Sequence, residues 1–163
     1  MNTFVLAFFG GIIGAVLMDV TESVAARIGI SSGVNIGLVG RWFLGLTQGR
    51  FAHADILDSP PQECEVRAGW VFHILVGGGG VALLYAAALQ FAGPLPAPNL
   101  LLCGVLFGLA TSVLPWFILL PSFGWGCFGR RGPEGSNALL ASPLSHIPYG
   151  FGVGAVIAAG SAF

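Results

Sequence analysis

The chain alternates long uncharged stretches with two short charged ones. Residues 1–18 carry no charge, and residues 19–67 carry Asp19, Glu22, Arg27, Arg41, Arg50, Asp55, Asp58, Glu63, Glu65 and Arg67. Residues 68–129 again carry none, Arg130, Arg131 and Glu134 follow, and 135–163 carry none. A helix that crosses a bilayer needs about 20 apolar residues. The stretch from 68 to 129 therefore holds two such helices, divided at Pro94-Leu95-Pro96-Ala97-Pro98. With one helix before and one after, the pattern predicts an all-α integral membrane four-helix bundle. It forms a single domain over 1–163, with spans at about 3–27, 68–91, 99–120 and 143–162. The first span lacks a positive leading region, and Asp19 stands where a small-residue cleavage site belongs, so it is expected to be retained.

The charged stretches have patterns of their own. Leu38, Val39, Trp42, Phe43 and Leu46 recur at helical spacing, with Arg41 and Gln48 on another face. This predicts an amphipathic helix lying in the membrane interface. Asp58-Ser59-Pro60-Pro61 reads as a cap followed by proline at the first helical position, so the second span is expected to start as a polar extension there. Ser142-Pro143 repeats the signal before the fourth span. The second loop, from Pro121 to Pro133, alternates glycine with aromatics and ends in Arg130-Arg131. It reads either as an interfacial turn whose arginines touch lipid head groups or as a phosphate-attracting ligand loop. It lacks the P-loop pattern.

Composition agrees with the pattern. Apolar residues make up 55% of the chain and charged residues 8%, against about 25% charged in soluble domains. That excludes a disordered chain, a disulfide-stapled secreted domain and a basic nucleic-acid binder. All six cations are arginines, and they lie only at or between the first and second spans and between the third and fourth. By the positive-inside rule both loops face the cytoplasm and both termini the periplasm. Cys64, Cys103 and Cys127 form no metal-binding pair and read as structural or incidental thiols.

Helices in lipid pack through small residues four apart. Each span offers such a ladder ending in a polar group: Gly11, Ala15 and Asp19; Gly69, His73 and Gly77; Gly104, Gly108 and Ser112; His146, Gly150, Gly154 and Ala158. At ~1.5 Å per residue, Asp19 lies ~12 Å from the cytoplasmic end, Glu22 and His73 ~8 Å and His146 ~5 Å. Asp19, Glu22, His73, Ser112 and His146 thus form one intramembrane layer. A carboxylate at that depth is a functional-site hypothesis by default. Either the layer holds the helices in register, or it relays protons or binds a cation. Carboxylates with imidazoles suit a divalent metal such as zinc, iron or manganese, with Asp19, Glu22, His73 and His146 as ligands. His53 offers a third imidazole or a solvated loop residue. No HExxH pair occurs.

Several motifs recur together: Met18-Asp19, Leu38-Val39-Gly40-Arg41-Trp42, Gly49-Arg50-Phe51-Ala52-His53, Gly69-Trp70-Val71-Phe72-His73, Pro115-Trp116-Phe117 through Gly124, and His146-Ile147-Pro148-Tyr149-Gly150. In that order they resemble a family of small bacterial four-span membrane proteins known only as a domain of unknown function. The resemblance covers nearly the whole chain and implies a bacterial cytoplasmic-membrane protein. It brings no activity, and it adds Arg41, Trp42, Trp70 and Trp116 to the residues of interest as ligand or head-group contacts. Three classes of function remain open. One is a site that binds or moves a cation, proton or small solute, for which a homodimer is expected. Another is an embedded enzyme acting on a lipid or quinone-like molecule. The third is an accessory subunit of a larger membrane complex. A groove entering sideways from the lipid favours the enzyme, and a wet path along the bundle axis favours transport.

Overall fold

The computed structural model describes residues 2–161. It is helical, with no strand among the described residues. Helix α1 is Thr3–Ala26, started by Asn2, whose side chain accepts from the Phe4 amide at 2.8 Å. Helix α2 is Ile36–Thr47, capped by Asn35 on Leu38 N–H. Helix α3 is Glu65–Ala92, helix α4 is Ala97–Ser122 and helix α5 is Asn137–Gly160. Single 3-10 turns stand at Ile56–Asp58 and Cys127–Gly129.

Three helices, α1, α3 and α4, are long and apolar enough to cross a membrane, with mean hydropathy 2.1, 1.8 and 2.1. Helix α5 equals α1 at 24 residues and carries no charge, but glycine, serine and proline dilute its apolar content. Its place explains why: it packs along α1 on one side and α4 on the other. A helix with two close neighbours needs small residues more than bulky apolar ones. Helix α1 in turn packs against α3.

Glycine makes these approaches close. A Cβ on Gly108 would land on the His146 carbonyl, and one on Gly150 on that of Gly104. A Cβ on Gly152 would come within 2.7 Å of Gly14 Cα. The ladders expected on α1, α4 and α5 therefore face the neighbouring helices. That on α3 does not. Gly69 instead meets α2 at the Ile36 carbonyl and Gly40, Gly77 meets nothing nearer than the Phe72 carbonyl at 3.7 Å, and Gly78 makes the close contact with Gly11. The reason is a change of helical register: Phe72–Gly80 is wound as a π-helix. Extra residues in that turn rotate every later side chain, so spacing by four no longer marks one face. A second π turn, Pro115–Leu119, interrupts α4.

Two expected starts shift. Ser142-Pro143 does not open α5, which begins at Asn137 and contains Pro143 and Pro148. Good helix formers at Ala138–Ala141 extend the helix backwards, and each proline removes one backbone bond. The expected end of this span at 162 lies outside the described residues. Nor does α3 begin at Pro60; it begins at Glu65, after Cys64 at φ 63°. Glu65 folds back to accept from Gln62 N–H at 2.9 Å and is held by Arg41, which fixes the start there.

The charged stretches build a cap at the arginine-bearing end. Leu38, Val39 and Trp42 of α2 pack with Ile56, Leu120, Phe123 and Trp125 in a buried cluster. The second loop docks on the first through His53 N–H to the Ser122 carbonyl at 2.8 Å and Ile56 N–H to that of Phe123 at 2.9 Å. Trp125 Nε1 donates to Asp55 at 3.1 Å. A Cβ on Gly124, at φ +89°, would strike the Ala54 carbonyl, so only glycine fits that crossing. Leu38, Val39 and Trp42 on the apolar face of α2 are part of this protein core.

Candidate functional site

The polar layer gathers where α1, α3 and α5 meet below the cap. His73 Nε2 and Asp19 Oδ1 are 2.9 Å apart, joining α3 to α1. As a carboxylate Asp19 only accepts, so Nε2 carries the hydrogen, and when the ring carries no second proton Nδ1 is an acceptor. His146 is fixed from within its own helix: Nδ1 donates to the Ser142 carbonyl at 2.7 Å, which leaves Nε2 as its acceptor. Glu22 stands beside Ser145, with His73 and Asp19 within electrostatic reach, and His73 is likewise close to His146.

Two cavities adjoin this layer. The first, of about 300 Å³, opens at the arginine-bearing end. It is the more polar of the two: Asp19, Thr21, Glu22, Ser23, Ser31, Ser32 and Ser145 line it, with Ile30, Val34, Leu144 and Trp70 among its apolar residues. The second, of about 290 Å³, is walled chiefly by apolar side chains, among them Met18, Phe72, Val76, Leu114, Ile118 and Leu119, with Trp42 and Val39 as its roof. His73, His146, Glu22, Thr111, Ser142 and Tyr149 supply its polar wall. Val76 and Ile118 are 46% and 44% exposed on the outer surface, so this cavity opens sideways between α3 and α4. Those two helices touch little. They join at the far end, where Tyr85 on α3 donates to the Leu100 carbonyl on α4 at 2.7 Å. Both π-helical turns lie on the walls of the cavity, a frequent companion of functional sites.

The two cavities meet at the polar layer. Glu22 lines both, and the Asp19–His73 hydrogen bond runs from the polar cavity to the apolar one. A proton can pass along such a bond when the imidazole changes partner.

The remaining expected site residues are placed as follows. Ser112 is fully buried, lines neither cavity and has no partner for its Oγ; Thr111 faces the cavity instead. Arg41 is buried, bound to both Glu65 oxygens at 2.9 and 3.0 Å and donates to the carbonyls of Ile56 and Ser59. The Glu65 carboxylate raises its pKa further. Trp42 is buried, and its Nε1 donates to the Phe51 carbonyl at 2.9 Å. His53 joins the cap, not the layer: Nδ1 is 2.9 Å from Ser59 Oγ, and Nε2 is buried without a partner. Burial, then Arg50 and Arg41, push its pKa below the ordinary value. Trp70 is exposed and stands edge-on to His73, and Trp116 packs against Phe128. Arg130 lies over Phe128 at 5.5 Å, and both Arg130 and Arg131 are exposed.

Asp19, Glu22, His73 and His146 share a layer but not a coordination sphere. Among the described residues no three His, Cys, Asp or Glu side chains stand together as metal ligands. The donor set does not fit the divalent ion expected from its composition. Thr111, Ser142, Ser145 and Tyr149 also line the cavities, and spacing and depth do not mark them as site residues. Only Tyr149, within His146-Ile147-Pro148-Tyr149-Gly150, lies in a recognisable motif.

No curated protein and no solved structure matches this chain. A family described as "Protein of unknown function (DUF2938)" matches residues 8–160, nearly the whole of the helical fold and all of the polar layer, and the chain belongs to that family.

Proposed function

We propose that this protein is a four-span protein of the bacterial cytoplasmic membrane, with the arginine-bearing cap in the cytoplasm and both termini in the periplasm. Its lateral cavity binds a lipid-like or quinone-like amphiphile, and the polar layer exchanges a proton with the head of that molecule. The observation that carries this reading is the Asp19–His73 bond at 2.9 Å between a polar cavity and an apolar one. The tail of an amphiphile suits the wall of Phe72, Val76, Leu114 and Ile118, which a soluble ligand does not need. Its head then lies against His73 and His146, and Asp19 returns the proton to the cytoplasmic side. A sideways mouth favours this over a transport path along the bundle axis. Asp19 and Glu22 on the polar cavity favour proton movement as part of the same task.

Filling the cavity tests the reading. Gly77 lines it, and a Cβ there meets only the Phe72 carbonyl at 3.7 Å. Gly77→Leu is expected to keep the melting temperature and remove any small amphiphile extracted with the purified parent. Asp19→Asn is expected to keep the amphiphile and abolish proton release on binding, read with an indicator dye in weak buffer. An unchanged extract from a folded Gly77→Leu variant would count against the cavity as the binding site.

A further inference from the structure

The head group that the site reads follows from its hydrogen-bonding inventory. On the cavity wall, His73 Nδ1 and His146 Nε2 are the ring nitrogens not engaged within the chain, and neither is sealed from solvent. With Nε2–H of His73 given to Asp19 and Nδ1–H of His146 given to the Ser142 carbonyl, both free nitrogens accept hydrogen bonds. Two of the four hydroxyls on the cavity wall are spent as donors, Tyr149 OH on the Gly78 carbonyl at 2.8 Å and Thr111 Oγ1 on that of Gly108 at 2.6 Å, which leaves those of Ser32 and Ser142. The cavity therefore offers acceptors and few donors. No arginine lines either cavity among the described residues, and the chain has no lysine. The nearest buried guanidinium, Arg41, is committed to Glu65.

We infer that the lateral cavity selects an uncharged amphiphile whose head donates a hydrogen bond, a phenol or quinol hydroxyl, and rejects one with a phosphate head. This rests on the amphiphile-binding reading above and adds the class of head group. A phosphate monoester brings about 1.5 to 2 negative charges and needs paired cations or donors, whereas here it would face Glu22. A hydroxyl instead places its hydrogen on an imidazole nitrogen. His73, backed by the Asp19 carboxylate, is the ring able to take that proton.

Four probes with one tail separate the cases: para-nonylphenol, its methyl ether, nonyl phosphate and nonylammonium. Each is titrated into the full chain in nanodiscs and followed by tryptophan fluorescence, Trp42 lying on the cavity wall. The phenol is expected to bind at least about tenfold more tightly than the ether, which has the same tail but no donor. The phosphate is expected not to compete. His73→Phe and His146→Phe should each reduce the preference for phenol over ether while leaving binding of the ether in place. Equal binding of phenol and ether overturns the inference while leaving the cavity as an amphiphile site. Tighter binding of the phosphate, or of the ammonium on the two carboxylates, overturns it as well. Failure of all four to bind removes the amphiphile reading and this inference together.

Discussion

At the scale of single residues, the charged groups divide into those that build the cap and those that face the cavities. Arg41 belongs to the first kind. Its guanidinium satisfies Glu65 in bidentate fashion and two backbone carbonyls in a buried place. Arg41→Leu leaves the partly exposed Glu65 without its partner and should cost stability, though less than the ~3–5 kcal/mol of a fully buried pair. Thermal unfolding in detergent should show that loss, and Arg41→Leu with Glu65→Leu should recover most of it. His53 sets a pH dependence. Its pKa is lowered in the fold, first by burial and then by Arg50 and Arg41. A group that folding keeps neutral contributes stability above its ordinary pKa, and that contribution is lost as pH falls through the lowered value. The melting temperature should fall between about pH 7.5 and about pH 5.5, a window that brackets the ordinary histidine pKa of about 6.5. His53→Gln should flatten the decline. The sequence shows the chemical types but not their partners. Asp19 and His73 are legible as neighbours from their matched positions along α1 and α3. The pairing of Arg41 is not, because Glu65 is brought to it by a chain reversal at Pro60–Cys64 that spacing does not encode.

At the scale of elements, helix packing depends on where backbones approach. Gly108 and Gly77 are both glycines in long apolar helices, and their surroundings separate them. A side chain at Gly108 meets the His146 carbonyl and the Gly150 backbone, neither of which can turn aside. Gly108→Leu should cost at least about 3 kcal/mol, the upper end of overpacking. Gly77→Leu points into the open cavity and should change stability by no more than about 1 kcal/mol, the scale of the helix-propensity gain over glycine. Unfolding of the two variants side by side checks the pair of expectations. The long helices are legible because an uncharged apolar run of about 20 residues matches the thickness of a bilayer. The π turns are not. An α-helical ladder puts Gly69, His73 and Gly77 on one face; Gly69, before the π turn, meets α2, His73 meets Asp19, and the wider winding over Phe72–Gly80 turns Gly77 to the cavity. Proline misleads in the same way, since Ser142-Pro143 has the form of a helix start and Pro143 lies inside α5.

At the scale of the whole molecule, the cap and the separation of α3 from α4 make the cavity. Pattern and charge carry the number of long helices and the shared depth of the polar groups. They do not carry the gap between α3 and α4, because that depends on which helices become neighbours. Helix α5 lies between α1 and α4, so the last helix in the chain holds α4 away from α3. Entry of an amphiphile into that gap is tested most directly by photolabelling in a bilayer with a diazirine-bearing fatty alcohol. Labelling is expected to concentrate on Phe72, Val76, Leu114 and Ile118, which line the gap, and to fall when Gly77→Leu fills it. Equal labelling of Phe9 and Val20 on the outer face of α1, unaffected by Gly77→Leu, would contradict it.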